Sequence, residues 1–282
     1  MKKGWKIFAI ICAVLAGLGI VLCIAGFAVG ATDADVRNAL NRGIGFIRND
    51  DFDDDYYDED DLEDDMEHEG SEVKNSMDFS NTKGIDVEVD KMLVEVVATD
   101  EEKVRVENTA VKEIGVEISE DEDTVEIRTT KNANGINDGG KLTLYIPRNI
   151  QLPELSIQVN NGKINLNGIQ ANELDLEIGR GEINAADFVA GELSVSCEQG
   201  KADIKGTAQR DVDLECGAGA INFTANGAQT DFNYEIEVGA GAVQLGGQKF
   251  SGLAVEKTIN NRAGKEMGID CATGTVNITF AQ

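Results

Sequence analysis

The residues with the most chemical potential are carboxylates spaced two apart and repeated along the chain. Glu173, Asp175 and Glu177 form one set, and Asp211, Asp213 and Glu215 form another, with Glu235 and Glu237 further on. A spacing of two puts side chains on one face of an extended strand. Like charges in neighbouring strands repel, so such a face is either a solvated surface that blocks aggregation or a binding surface for cations or cationic peptides. Carboxylate pairs also cleave glycosides, one as the acid and the other as base or nucleophile. Other reactive residues are few. The single histidine, His68, lies in an acidic run without a partner that would make it catalytic. Cys12, Cys23, Cys197, Cys216 and Cys271 show no zinc-ligand spacing, and neither a cofactor nor a specific metal site is expected.

The acids belong to a repeat. ELSIQVNNGKINLNGIQAN from Glu154, ELDLEIGRGEINAADFVAG from Glu173 and ELSVSCEQGKADIKGTAQR from Glu192 follow one another without a gap, each 19 residues long. Looser copies begin at Asp211 and Asn233, and a partial one at Glu266. The ninth position is always glycine: Gly162, Gly181, Gly200, Gly219, Gly241 and Gly274. A period of this length marks an array whose units bury their apolar sides against their neighbours. Positions 2, 4 and 6 are apolar, as in Leu155, Ile157 and Val159, and so are positions 11 and 13, as in Ile164 and Leu166. The glycine between the two runs suits a corner that needs a positive φ.

This pattern predicts an all-β protein, a single-stranded, β-helix-like β-solenoid of about 19-residue rungs. Position 12 reads Asn165, Asn184, Asp203, Asn222, Gln244 and Asn277, a column in which amides can bond along the stack. The rival fold is an antiparallel meander, because Asn161-Gly162 between alternating runs is also a hairpin signal. Cys197, Cys216 and Cys271 share position 6 and read as small core side chains. A Cys197–Cys216 disulfide is compatible with strands about 4.8 Å apart, but stacked parallel side chains rarely offer the Cβ vectors it needs.

Residues 1–32 read as a cytoplasmic tip and a transmembrane anchor. From Ile7 to Thr32 there is no charge, and a helix of that length, about 39 Å, would cross a hydrocarbon core of about 30 Å. A cleaved signal peptide is the competing reading, but its apolar core is shorter, about 7–15 residues. Lys2, Lys3 and Lys6 place the N-terminus in the cytoplasm and the rest outside a single-pass cell-membrane protein. Residues 33–48, with Val36, Leu40, Ile44 and Ile47 at helical spacing, suggest a juxtamembrane helix. Residues 49–72, of which 50–69 hold fourteen acids and no base, predict a disordered linker. The β-strand-repeat domain covers 73–282, with regular rungs from 154. Before them, alternation such as Ile85-Val87-Val89 and Leu142-Leu144-Ile146 predicts half-buried strands, with hairpin turns at Thr99–Lys103 and Ser119–Thr124. Residues Leu253–Lys265 exceed the repeat, as a protruding loop or another pair of strands.

The net charge of −27 argues against nucleic acid as a partner, since phosphates need a basic footprint. A membrane span, acidic strand-rich sequence, and LTLYIPRNI at Leu142–Ile150 leading into ELSIQVNNGKINL together resemble the putative-adhesin family of bacterial β-strand-repeat proteins, a domain of unknown function. The resemblance covers roughly residues 80–280. It implies a non-enzymatic, surface-exposed domain, often in Gram-positive bacteria and linked with envelope-associated systems, and it transfers no catalytic residues. The expected function is a membrane-anchored cell-surface scaffold or binding module with an envelope protein or glycan as partner, in an envelope-sensing context. The alternative is a β-helical polysaccharide-cleaving enzyme, against which stand short corners, few basic residues and no histidine in the repeat.

Overall fold

The computed structural model describes residues 73–110, 115–121, 123–130 and 140–281. The expected membrane span, juxtamembrane helix and acidic linker lie outside the described residues. Six strands precede the regular repeat: β1 (Val73–Phe79), β2 (Gly84–Thr99), β3 (Val104–Ala110), β4 (Gly115–Asp121), β5 (Thr124–Thr130) and β6 (Gly140–Pro147). Their alternation puts Ile85, Val87, Val89, Val125, Ile127, Leu142, Leu144 and Ile146 in the core. The acidic turn at 119–124 does join a hairpin, β4 antiparallel to β5. The one at 99–103 does not: β3 pairs with β1 and β6 instead of β2.

In the repeat, breaks in the alternation set the path. Leu155, Ile157 and Val159 are buried, then Ile164 and Leu166, then Ile169 and Ala171, then Leu174. An interval of two keeps side chains on one face of a strand, whereas three or five moves them to the other. All of them reach one core only if the backbone turns within 160–163, 167–168 and 172–173. Three turns bring residue i+19 alongside residue i. β7 (Leu152–Asn167) accordingly pairs parallel with β8 (Gln170–Ala208), Leu155 opposite Leu174 and Ile164 opposite Ile183. β8 makes two rungs, and β9 (Val212–Cys216) and β10 (Ala220–Asn226) add the next at the same offset. The antiparallel meander is not adopted, since Val159 faces Ile178 rather than Ile164.

Fully burying one large apolar side chain is worth about 1.5–3 kcal/mol, and each regular rung buries several. A like-charge cross-strand contact costs only about 0.2–1 kcal/mol. The interior therefore decides the fold, and the outside tolerates its acids.

The corner glycines answer to space more than to φ. A Cβ on Gly162 would overlap the Met92 carbonyl oxygen, one on Gly181 the Gly162 oxygen, and one on Gly200 the Gly181 oxygen. Only Gly181 and Gly200 of the six have a positive φ, +133° and +149°. What the column requires throughout is backbone-to-backbone approach between rungs.

At both ends the stacking order departs from chain order. β5 and β6 form a rung beyond β2, so the first rung in sequence is second in the stack. At the other end stand β11 (Phe232–Val238), β12 (Ala242–Leu245), β13 (Gln248–Ser251), β14 (Val255–Ile259), β15 (Lys265–Cys271) and β16 (Thr275–Ala281). β15 lies between β9 and β11, and β16 between β10 and β12. The last rung of the chain is inserted between the two before it. β13 and β14 then pair antiparallel with β12 and β11, so the extra residues 253–265 hold one added strand, β14, and the short loop 260–264 rather than a pair of strands. Antiparallel cover at both ends limits the open parallel edge a stack would otherwise present.

Candidate functional site: an acidic face

β9, β11 and β15 carry the outward side of the first strand of each rung. Burial of Val212, Leu214, Cys216, Ile236, Val238, Ile269 and Cys271 points the alternating residues Asp213, Glu215, Glu235, Glu237 and Asp270 outward. β8 contributes Asp175 and Glu177 in the same way, between buried Leu174, Leu176 and Ile178.

The two acidic sets singled out in the sequence are not adjacent. The rung between them presents Ser194 and Ser196 at the matching positions, Ser194 beside Asp213 and Ser196 beside Glu215. Asp175 and Asp213 thus stand two strand spacings apart, roughly 9–10 Å. Glu173 and Asp211 lie at the corner that opens the strand, and Asp211 is engaged there by the backbone N–H of Glu266, 3.1 Å from its Oδ1.

The densest carboxylate run lies where sequence order does not place it. Glu215 faces Asp270, Asp270 faces Glu237, and Glu237 faces Glu256 across four successive strands. Asp270 was legible as a position-5 residue, but only the insertion of the last rung sets it between Glu215 and Glu237. At the opposite end of the face Asp86 and Glu88 are neutralised by Arg128, which lies 3.0 Å from Asp86 and also pairs with Glu88. Asp213, Glu215, Glu237 and Asp270 have no ion-pair partner among the described residues.

The carboxyls register this crowding. Loss of water raises the pKa of Asp213, Glu215 and Glu237, and the charge of Asp270 raises each further. Asp270 itself is raised by partial burial. Asp175 is raised by the same loss of water, opposed by a hydrogen bond from Ser194, and Glu177 is raised by burial and by Asp175. A carboxyl whose folded pKa exceeds its unfolded value contributes most below the unfolded value and loses that contribution as pH rises through the folded one. Mild acidification from pH 7 towards 5 should therefore act in favour of the fold at this face. Glu215→Gln is expected to raise the melting temperature at pH 7 and to flatten its rise on acidification, in melts run across that range. An unchanged slope would show that Glu215 is not coupled to its neighbours.

The second side of the rungs is built differently. The amide column forms: Asn184 donates to Asn165 at 3.2 Å, Asn222 to Asp203 at 2.8 Å and Asn277 to Asn222 at 2.9 Å. It lines an open groove of about 660 Å³ that includes Glu95, Ala186 and Lys205. Lys163 pairs with Glu182 at 2.9 Å and Lys201 with Asp203 at 2.6 Å. Partial burial would raise the Asp203 carboxyl, but Lys201 and Asn222 hold it below the usual range. Lys163 and Glu182, and Lys201 and Asp203, are spent on one another, whereas Asp213, Glu215, Glu237 and Asp270 are given no such cation among the described residues.

Cys197, Cys216 and Cys271 occur as free, buried thiols in adjacent rungs. Burial pushes the Cys216 thiol up to about 11, which marks a structural rather than a reactive cysteine. Among the described residues no three histidine, cysteine or acidic groups converge as a metal site requires. The acidic columns run along the stack without focusing on a point.

Parallel 19-residue rungs with a glycine corner and an internal amide column define an all-β repeat protein. The model of the Toastrack DUF4097 family matches residues 82–281, and the chain belongs to that family. A search of curated proteins gave no match. The chain is similar to the crystal structure of a putative cell adhesion protein from Clostridium sporogenes ATCC 15579, at 13% identity and TM-score 0.42, over 74% of this chain and 100% of that one. It is also similar to a putative adhesin from Parabacteroides distasonis ATCC 8503, at 14% identity and TM-score 0.33, over 74% and 98%. A third is a putative adhesin from Bacteroides fragilis NCTC 9343, at 10% identity and TM-score 0.31, over 74% and 97%.

Proposed function

We propose that this protein is a membrane-anchored, extracytoplasmic scaffold, adhesin-like and non-enzymatic, whose acidic face binds ligands carrying several positive charges. The observation that carries this reading is the run Glu215–Asp270–Glu237–Glu256 on four successive strands. Spaced about 4.8 Å apart on a packed stack, these carboxylates suit a row of charges better than one chelated ion. A cationic peptide, or an envelope protein or glycan presenting amines, has that character. The uncharged segment Ile7–Thr32, preceded by three lysines, supports the anchor and its orientation. No observation favours the polysaccharide-cleaving alternative.

Protease treatment of intact cells tests the topology. The repeat domain is expected to be released while the lysine-bearing N-terminal segment stays protected. Protection of the domain, with loss of the N-terminal segment, would refute the orientation.

A further inference from the structure

The inserted last rung has a feature that stacking alone does not require. β14 runs antiparallel along one side of β11, and β15 runs parallel along the other. Residues 260–264 therefore carry the chain round the start of β11 in a single short loop. Arg262 in that loop adopts φ +59°, a left-handed conformation that a non-glycine residue seldom takes. The loop is held by Asn233, whose Oδ1 accepts the N–H groups of Asn261 at 3.0 Å and Ala263 at 3.1 Å. Beyond it, β15 and β16 pair with β9 and β10 on one side and with β11 and β12 on the other.

The side-chain bonds of this rung are mostly to the part of the stack that precedes it. Lys265 donates to the Ala208 carbonyl at 2.9 Å, Thr273 to the Gly217 carbonyl at 3.2 Å and Asn277 to Asn222 at 2.9 Å. The rung on its other side has the same inward spacing as the rung it is separated from. Leu214 and Ile236, Cys216 and Val238, and Ile221 and Val243 are each 22 residues apart and all buried. If the last rung leaves, β11 and β12 can close directly onto β9 and β10 with every column matched.

We propose that residues 265–281 are an exchangeable rung, and that two copies of this chain associate by trading it, each seating the other's last rung between its own β9–β10 and β11–β12. A short hinge loop under strain, as at Arg262, invites such exchange. Closing of the vacated slot gives the donor a state in which no core is left open. The association is reciprocal, with the same contacts made in both copies and the hinge running between them.

Cys216 and Cys271 supply the test, because they face one another across the junction of the inserted rung. Full-length chains with Cys12, Cys23 and Cys197 changed to alanine are made with either Cys216→Ser or Cys271→Ser, tagged differently and produced together. In detergent they are oxidised with copper–phenanthroline, two thiols giving up two protons and two electrons to the copper complex as the S–S bond forms. Where the chain retaining both thiols closes its own bridge, exchange gives a covalent dimer carrying both tags, absent from either variant alone. No mixed dimer, while the chain retaining both thiols closes its own bridge, overturns the proposal. Light scattering on the unmodified chain reads the same point without thiols. A concentration-dependent dimer is expected, shifted to monomer when six Gly/Ser residues are added after Gly264. A monomer at every concentration overturns it.

Discussion

Gly181→Ala is expected to lower stability by about 3 kcal/mol or more, and Gly247→Ala to change it by less than about 0.5 kcal/mol. Gly181 sits in mid-stack at φ +133°, and an added Cβ would overlap the carbonyl oxygen of Gly162 in the rung below. The left-handed backbone costs a non-glycine residue about 1–3 kcal/mol, and overpacking adds about 1–3 kcal/mol. The overlap is with backbone, so relief requires parting two rungs that are bonded along their length. Gly247 meets nothing within 4 Å of an added Cβ and lies in a turn. Denaturant midpoints of the two variants measure the contrast. Equal, small losses would show that the glycine column is not the contact between rungs.

Removing residues 174–192 is expected to leave a cooperative, folded protein, whereas removing 175–192 costs about 1.5–3 kcal/mol more. The first deletion is 19 residues and joins Glu173 to Leu193, so Leu155 faces Leu193 and Asn165 faces Asp203. The second is one residue shorter and sets Leu174 directly before Leu193. Adjacent residues of a strand point to opposite faces, so one leucine leaves the core, forfeiting about 1.5–3 kcal/mol, or a bulge interrupts the ladder. Circular dichroism melts of both deletions distinguish the outcomes. Aggregation of the 19-residue deletion would contradict rung-by-rung stacking.

The content of a rung was legible because inward positions obey a strict period. Leu155, Ile164 and Ile169 each reached the core as spacing predicts, and Asn165 and Asn184 bonded as expected. The order of the rungs was not legible. Every copy offers the same pattern of apolar positions and a corner glycine, so Glu266–Cys271 fits against Asp211–Cys216 as well as Asn233–Val238 does. Only the connections decide, and the short loop 260–264 carries no pattern of its own. The same ambiguity hid the acidic run, since Asp270 belongs beside Glu215 only when the last rung is inserted. It also misled at 99–103, where an acidic turn between two alternating segments looked like a hairpin, although β3 pairs elsewhere. The glycine corner was correctly placed for an incomplete reason, because φ is positive at two of the six positions and close approach occurs at all of them.

Binding of an oligolysine probe tests the acidic face most directly, provided the acids of residues 50–69 are kept as they are. The full chain is compared with a variant carrying Glu215→Gln, Glu237→Gln and Asp270→Asn, by titration at pH 7 over a range of salt. Attraction between several charges is screened within about 8–10 Å near physiological ionic strength, so binding should weaken steeply as salt rises. The account predicts that the variant loses at least tenfold in affinity and part of the salt dependence, while its melting temperature is equal or higher. Unchanged binding by the variant would assign the interaction to the acidic run at 50–69 and contradict a role for the face.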